Sequence, residues 1–195
     1  MLEKKYKYIT IYFIILQILL LFRNFLLNDF ILLFFFCNHL TTLLAIGFYS
    51  KNIQLIKGLI SVGLIPQLVY ILEFFSELLF NTNIISSTGN LFFYHPLEFI
   101  ITLLIHFTTL TIALLFTYKE KTNINSLKYS SIYLIVLFIL TILLTPKSYD
   151  LNCVFNACGI QILQFTNFTL FWIPLTFLLI ILPTYYFQKY ISKII

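Results

Sequence analysis

Residues 29–49 read DFILLFFFCNHLTTLLAIGFY. The run is long and apolar enough for a membrane-spanning helix, which needs about 20 such residues. Yet it carries Cys37, Asn38 and His39 near its centre, with Thr41 and Thr42 just beyond. The residue after its polar end, Lys51, is basic. A hydrocarbon-buried stretch with a reactive and a titratable side chain at its middle sets the two questions of this protein. One is how many times the chain crosses a membrane, and the other is what the few interior polar groups are for.

Working outward, comparable apolar runs lie at 8–22, 53–80, 97–118, 129–145 and 168–188. The chain of 195 residues is 61% hydrophobic and only 10% charged. Soluble domains carry about 25% charged residues, so there is too little charge to coat a soluble surface. A soluble enzyme, a disordered chain and a nucleic-acid-binding domain are excluded. The runs do not alternate apolar and polar residues as barrel strands do. The expected fold is all-α, a single transmembrane domain over 1–195 built as a six-helix bundle.

The basic residues orient that bundle. Lys4, Lys5, Lys7, Lys51, Lys57, Lys119, Lys121, Lys128, Lys189 and Lys193 fall on one side of a six-span chain, and only Arg23 and Lys147 fall on the other. Lys and Arg mark the cytoplasmic side, so both termini are expected there. Helix 1 lacks a small-residue cleavage pattern after Phe22 and reads as an uncleaved anchor. A multi-pass protein of the cell membrane follows, with membrane lipids as its partners and no nucleic acid.

Ionisable residues inside spans are costly, and each is a functional candidate. Those found are His39, Glu73, Glu77, Glu98 and His106. Helical spacing groups Asn38, Thr41, Thr42 and Ala45 on one stripe, Gly63, Pro66, Tyr70, Glu73 and Glu77 on a second, and Thr102, His106, Thr109 and Ala113 on a third. Small and hydroxylated residues mark the helix–helix side, so the three stripes should face the bundle interior. At 1.5 Å per residue, Cys37, Glu73 and His106 each lie about 10–14 Å from the outer helix ends.

One layer therefore holds a thiol, a base and a carboxylate. An imidazole can take the proton from a thiol and leave a nucleophilic thiolate. Cys37 with His106 fits that pairing, and Asn38 could orient the base or donate to an oxyanion. His39, two residues from Cys37, faces elsewhere on the helix. His39, Tyr70, Glu73 and Trp172 are the residues expected to line a bound substrate, with interfacial packing as the alternative for Trp172. Cys-x-His on one helix spreads its ligands about 200° apart, so no metal and no cofactor are expected. Cys153 and Cys158, in the long external loop 146–167, are read as a short disulfide loop, the alternative being two free thiols.

Two of these segments resemble a known family. Phe36-Cys37-Asn38-His39-Leu40 resembles the H-x-C-D-L type segment on the second helix of YwaF-like integral membrane proteins. Ile105-His106-Phe107 resembles the S-H-G type histidine of their fourth helix, and Asn152-Cys153-Val154-Phe155 loosely resembles an Asn-aromatic motif near their fifth loop. Asn38 stands where the family has an acidic residue. Animal relatives of the family include a cysteine-dependent phospholipid acyltransferase. The resemblance implies a lipid acyltransferase, with Cys37 as acyl-accepting nucleophile and His106 as its base. A non-enzymatic transporter using Glu73, His39 and His106, or a structural membrane protein, is the alternative.

Overall fold

A computed structural model describes residues 2–28, 30–82, 96–156, 165 and 167–194. Among these there is no strand. Helix α1 spans Leu2–Leu26, α2 Phe36–Tyr49, α3 Ile53–Phe80, α4 Pro96–Thr117 and α5 Ile124–Leu144. The last helix, α6, runs over Phe168–Ile194. A 3-10 turn, Phe30–Phe34, precedes α2, and two more, Lys147–Tyr149 and Leu151–Cys153, follow α5. The all-helical expectation holds.

Five helices, all but α2, are long and apolar enough to cross a membrane. Their outer faces are built for hydrocarbon: Ile14, Ile18, Leu72, Leu79, Leu143, Leu170 and Leu178 are exposed. Apolar exposure on this scale is untenable in water. The interior carries the small polar residues, with Thr41, Ser61, Thr109, Ser126, Ser130 and Thr141 all buried. Several close on their own helix: Ser61 Oγ donates to Lys57 O at 3.0 Å, Thr117 Oγ1 to Ala113 O at 2.8 Å and Ser130 Oγ to Ser126 O at 2.9 Å. Such back-bonding satisfies a hydroxyl without a second helix. This is an integral membrane protein that crosses its membrane several times.

Helix α3 forms the hub, packing against α2, α4, α5 and α6. Its contact with α5 is set by Gly58, where a Cβ would lie 2.7 Å from Ser126 O and 2.9 Å from Tyr129 Cβ. Only a glycine admits the second backbone that close. Gln188 on α6 reaches the same region, donating to Lys57 O at 3.1 Å and Ser61 Oγ at 2.9 Å. In α6 a turn of π-helix, Phe177–Ile181, precedes Pro183. Proline has no N–H to donate, and the chain accommodates it by widening one turn, so that Leu182 N–H bonds Phe177 O five residues back.

The ten lysines singled out above gather at one end of the bundle, where α1, α3 and α5 begin and α2, α4 and α6 finish. Asn52 Nδ2 donates to Tyr129 OH at 3.0 Å and Gln54 Nε2 to Lys121 O at 2.8 Å, tying the loops of that end together. Arg23 and Lys147 lie at the opposite end.

The segment expected to be one helix over 29–49 differs. Regular α-helix starts only at Phe36, and its 14 residues rise about 21 Å at 1.5 Å each, short of the roughly 30 Å hydrocarbon thickness. Of the described residues before it, Phe30–Phe34 form the 3-10 turn and Phe35 is extended, at φ −64° and ψ 137°.

Candidate functional site

A break in a membrane-embedded helix frees backbone N–H and C=O groups that no water can satisfy, so protein groups must. Here they come from Asn38, which stood out in the sequence, and from Tyr133 and Asn152, which did not stand out as interior polar groups. Asn38 Nδ2 donates to Leu32 O. His39 packs edge-on to Phe34 of the turn, with ring centroids 6.4 Å apart. Tyr133 OH, from α5, donates to Phe36 O at 3.3 Å. Two more groups meet one side chain from the loop after α5. Asn152 Oδ1 accepts Phe36 N–H at 2.9 Å, and Asn152 Nδ2 donates to Phe34 O at 2.9 Å. Phe35, the residue at the N-cap, offers no side-chain bond of its own. Asn152 thus acts as an N-cap delivered from 116 residues away.

Asn152 is itself held from two sides. Its Nδ2 also donates to Thr141 Oγ1 at 2.9 Å, and its carbonyl accepts Trp172 Nε1–H at 3.1 Å. It sits at φ +57°, a left-handed conformation that asparagine tolerates better than most residues. Trp172 is buried, 5% exposed, and stacks on Phe138 with centroids 5.6 Å apart. Its indole anchors the loop rather than facing lipid. Asp150, also left-handed, accepts Phe155 N–H at 2.8 Å and Asn156 N–H at 2.9 Å. Burial raises the Asp150 pKa, while these two N–H bonds pull it down.

Beside the break lies a cleft of about 630 Å³, walled by Leu33 and Phe34 of the 3-10 turn, by the Asn38–His39–Thr42–Leu43 face of α2, and by Ile132, Val136 and Leu140 of α5. Gln17 of α1, Leu55 and Leu59 of α3 and the phenol-bearing Tyr129 and Tyr133 complete it. It opens on the side of the bundle between α2 and α5, and its walls are mostly apolar. Gln17 was not among the expected residues. Its spacing on an otherwise apolar helix is the signal that could have marked it, and its Oε1 accepts from Thr41 Oγ1.

The other expected residues fall into a separate group. On α3 and α4, Tyr70 and His106 stack face to face at 3.7 Å, inclined by 16°. Gln67 Nε2 donates to Ile105 O at 2.9 Å and to His106 O. Glu73 is buried, 1% exposed, on the same helix as Tyr70 and Gln67. The stripes on α3 and α4 therefore do meet in the interior. Cys37 does not join them by hydrogen bonding: its Sγ contacts Asn38 Oδ1 at 3.9 Å, and among the described residues no histidine bonds it. Neither Cys37 nor His106 lines the cleft, whereas Asn38 and His39 do. Cys37 is a free thiol and Cys153 is disulfide-bonded. Cys158 lies outside the described residues. Among those residues no three of His, Cys, Asp and Glu gather as metal ligands would.

No family model, no curated protein and no solved structure matches this chain. Its site is to be read from its own geometry.

Proposed function

We propose that this protein binds a single membrane lipid or lipid-like amphiphile in the lateral cleft between α2 and α5. The observation that carries the reading is the cleft of about 630 Å³, within the range of sites that enclose a small-molecule ligand. Its apolar α5 wall suits an acyl chain, and the polar groups of Gln17, Asn38, His39 and Thr42 suit the ester or head region. In this reading the protein resides in the cell membrane and crosses it six times. The 3-10 turn and α2 together make the second crossing, and the lysine-rich end with both termini is cytoplasmic. Irregular backbone at membrane depth is tolerated where it lines a cavity, which accounts for a break beside this one.

Cysteine-dependent acyl transfer, implied by the resemblance to YwaF-like proteins, is the reading set aside. It needs an imidazole to take the proton of Cys37. His106 is instead stacked on Tyr70, and the hydrogen bond of the thiol runs to the neighbouring Asn38 amide. Binding and transfer separate cleanly in experiment. Native mass spectrometry of protein released from lipid nanodiscs should show one retained lipid. Leu43→Trp and Val136→Trp should each lose it while keeping helical circular dichroism, and Cys37→Ala should keep it. Equal lipid retention by wild type and both tryptophan variants would remove the cleft as the site. Incubation with a radiolabelled phospholipid, followed by a search for a thioester on Cys37, would restore the transfer reading if one formed.

A further inference from the structure

Arg23 is the only arginine in the chain, and it sits on a membrane-spanning helix at the end remote from the lysines. It is half-buried and rigidly held. Its Nε and Nη2 both donate to Asn24 Oδ1, at 3.2 and 2.9 Å, and Nη1 donates to Thr102 Oγ1 of α4 at 3.1 Å. All three contacts are to neutral oxygens. Among the described residues no carboxylate lies within ion-pair distance of it; Glu98, one turn before Thr102, makes no pair with it either. A guanidinium carries five N–H donors, so two remain uncommitted. The same spot holds a second unmet donor: Asn24 is wholly buried, and its Nδ2 finds no acceptor. The amide cannot be turned to repair this, because its oxygen is the group that Arg23 grips.

A partly desolvated charge beside a buried, unsatisfied donor is an arrangement short of acceptor oxygens. We propose that Arg23, positioned by Asn24 and Thr102, binds an oxyanion at this end of the bundle. Arg presents a planar fork that suits phosphate and carboxylate oxygens. The site is distinct from the cleft, whose lining contains neither Arg23 nor Asn24. Two sources share the required chemistry: the phosphate of a phospholipid headgroup in the adjacent leaflet and soluble inorganic phosphate.

A sole arginine makes the test direct. With ¹⁵N-arginine labelling the protein gives one Nε–H resonance, and phenylglyoxal has one arginine to modify. In nanodiscs, raising the phosphatidylglycerol content should shift that resonance saturably and slow phenylglyoxal modification by about tenfold, the scale of a charged hydrogen bond. Inorganic phosphate added to protein in neutral detergent is the second arm. A response there alone would assign the site to soluble phosphate, and a response to phosphatidylglycerol alone would assign it to lipid. Thr102→Val, which removes one clamp and keeps the charge, should weaken binding without abolishing it. Glu98→Gln should leave it unchanged or tighter. An Arg23 signal and modification rate indifferent to both phosphatidylglycerol and phosphate would overturn the proposal.

Discussion

Replacing Asn152 is the most searching perturbation of this fold, because one side chain serves both edges of the α2 break. Asn152→Gly removes the bonds to Phe36 N–H, Phe34 O and Thr141 Oγ1, each 2.9 Å. It leaves the backbone carbonyl that receives Trp172. An orphaned buried polar group costs about 1–3 kcal/mol. Asn152 is half-buried, so water reaches part of the vacated space and the lower half of that range applies. Two stranded backbone groups then give a loss of about 2–4 kcal/mol. Glycine accepts the left-handed φ of +57° without strain, whereas Asn152→Ala should lose about 1 kcal/mol more for its Cβ. Asn152→Asp keeps the acceptor for Phe36 N–H but turns an oxygen toward Phe34 O, and should fall between wild type and alanine or below. Reversible unfolding in bicelles measures the totals, and hydrogen exchange at Phe36 reads the break locally. An Asn152→Gly protein within 0.5 kcal/mol of wild type (about the error of such a comparison), with Phe36 still protected, would refute the idea that this loop caps α2.

Other expectations follow from single contacts. Trp172→Phe keeps the stack on Phe138 but strands the Asn152 carbonyl, so a loss of about 1 kcal/mol is expected in the same unfolding assay. Gly58→Ala should destabilise by about 1–3 kcal/mol, because its Cβ would meet the Ser126 backbone at 2.7 Å; an unchanged unfolding midpoint would show that α3 and α5 can separate. Asp150 has a folded pKa above its unfolded one, so its contribution is present in acid and declines as pH rises through the folded pKa. Asp150→Asn should flatten that slope in a pH series of unfolding midpoints.

Composition made the membrane class legible at once, and five of the six apolar runs became helices long and apolar enough to cross a membrane for the same reason. The break before α2 was not legible. Phe30 to Phe36 contains neither glycine nor proline, and no local signal stops a helix there. The break is capped by a partner far along the chain, Asn152, which the sequence marked only as part of a loose motif resemblance and not as a cap. Asn38 and His39 were conspicuous for a sound reason, since buried polar groups need partners, but polarity alone does not say whether the partner is a substrate or a freed carbonyl. In this protein the Asn38 amide nitrogen donates to Leu32 O in the 3-10 turn. Helical spacing did succeed for Tyr70 and His106, because both lie on regular helix and face one another across α3 and α4. Trp172 shows the limit of interfacial statistics: it is turned inward, with its N–H on Asn152 O and its ring stacked on Phe138.

The central claim, that the α2–α5 cleft holds a lipid, is tested most directly by photocrosslinking with a phospholipid bearing a diazirine midway along one acyl chain. After proteolysis, adducts should concentrate on cleft-lining positions such as Leu43, Ile132, Val136 and Leu140. Adducts spread evenly over outward faces such as Ile14, Ile18 and Leu72, with none enriched between α2 and α5, would contradict it.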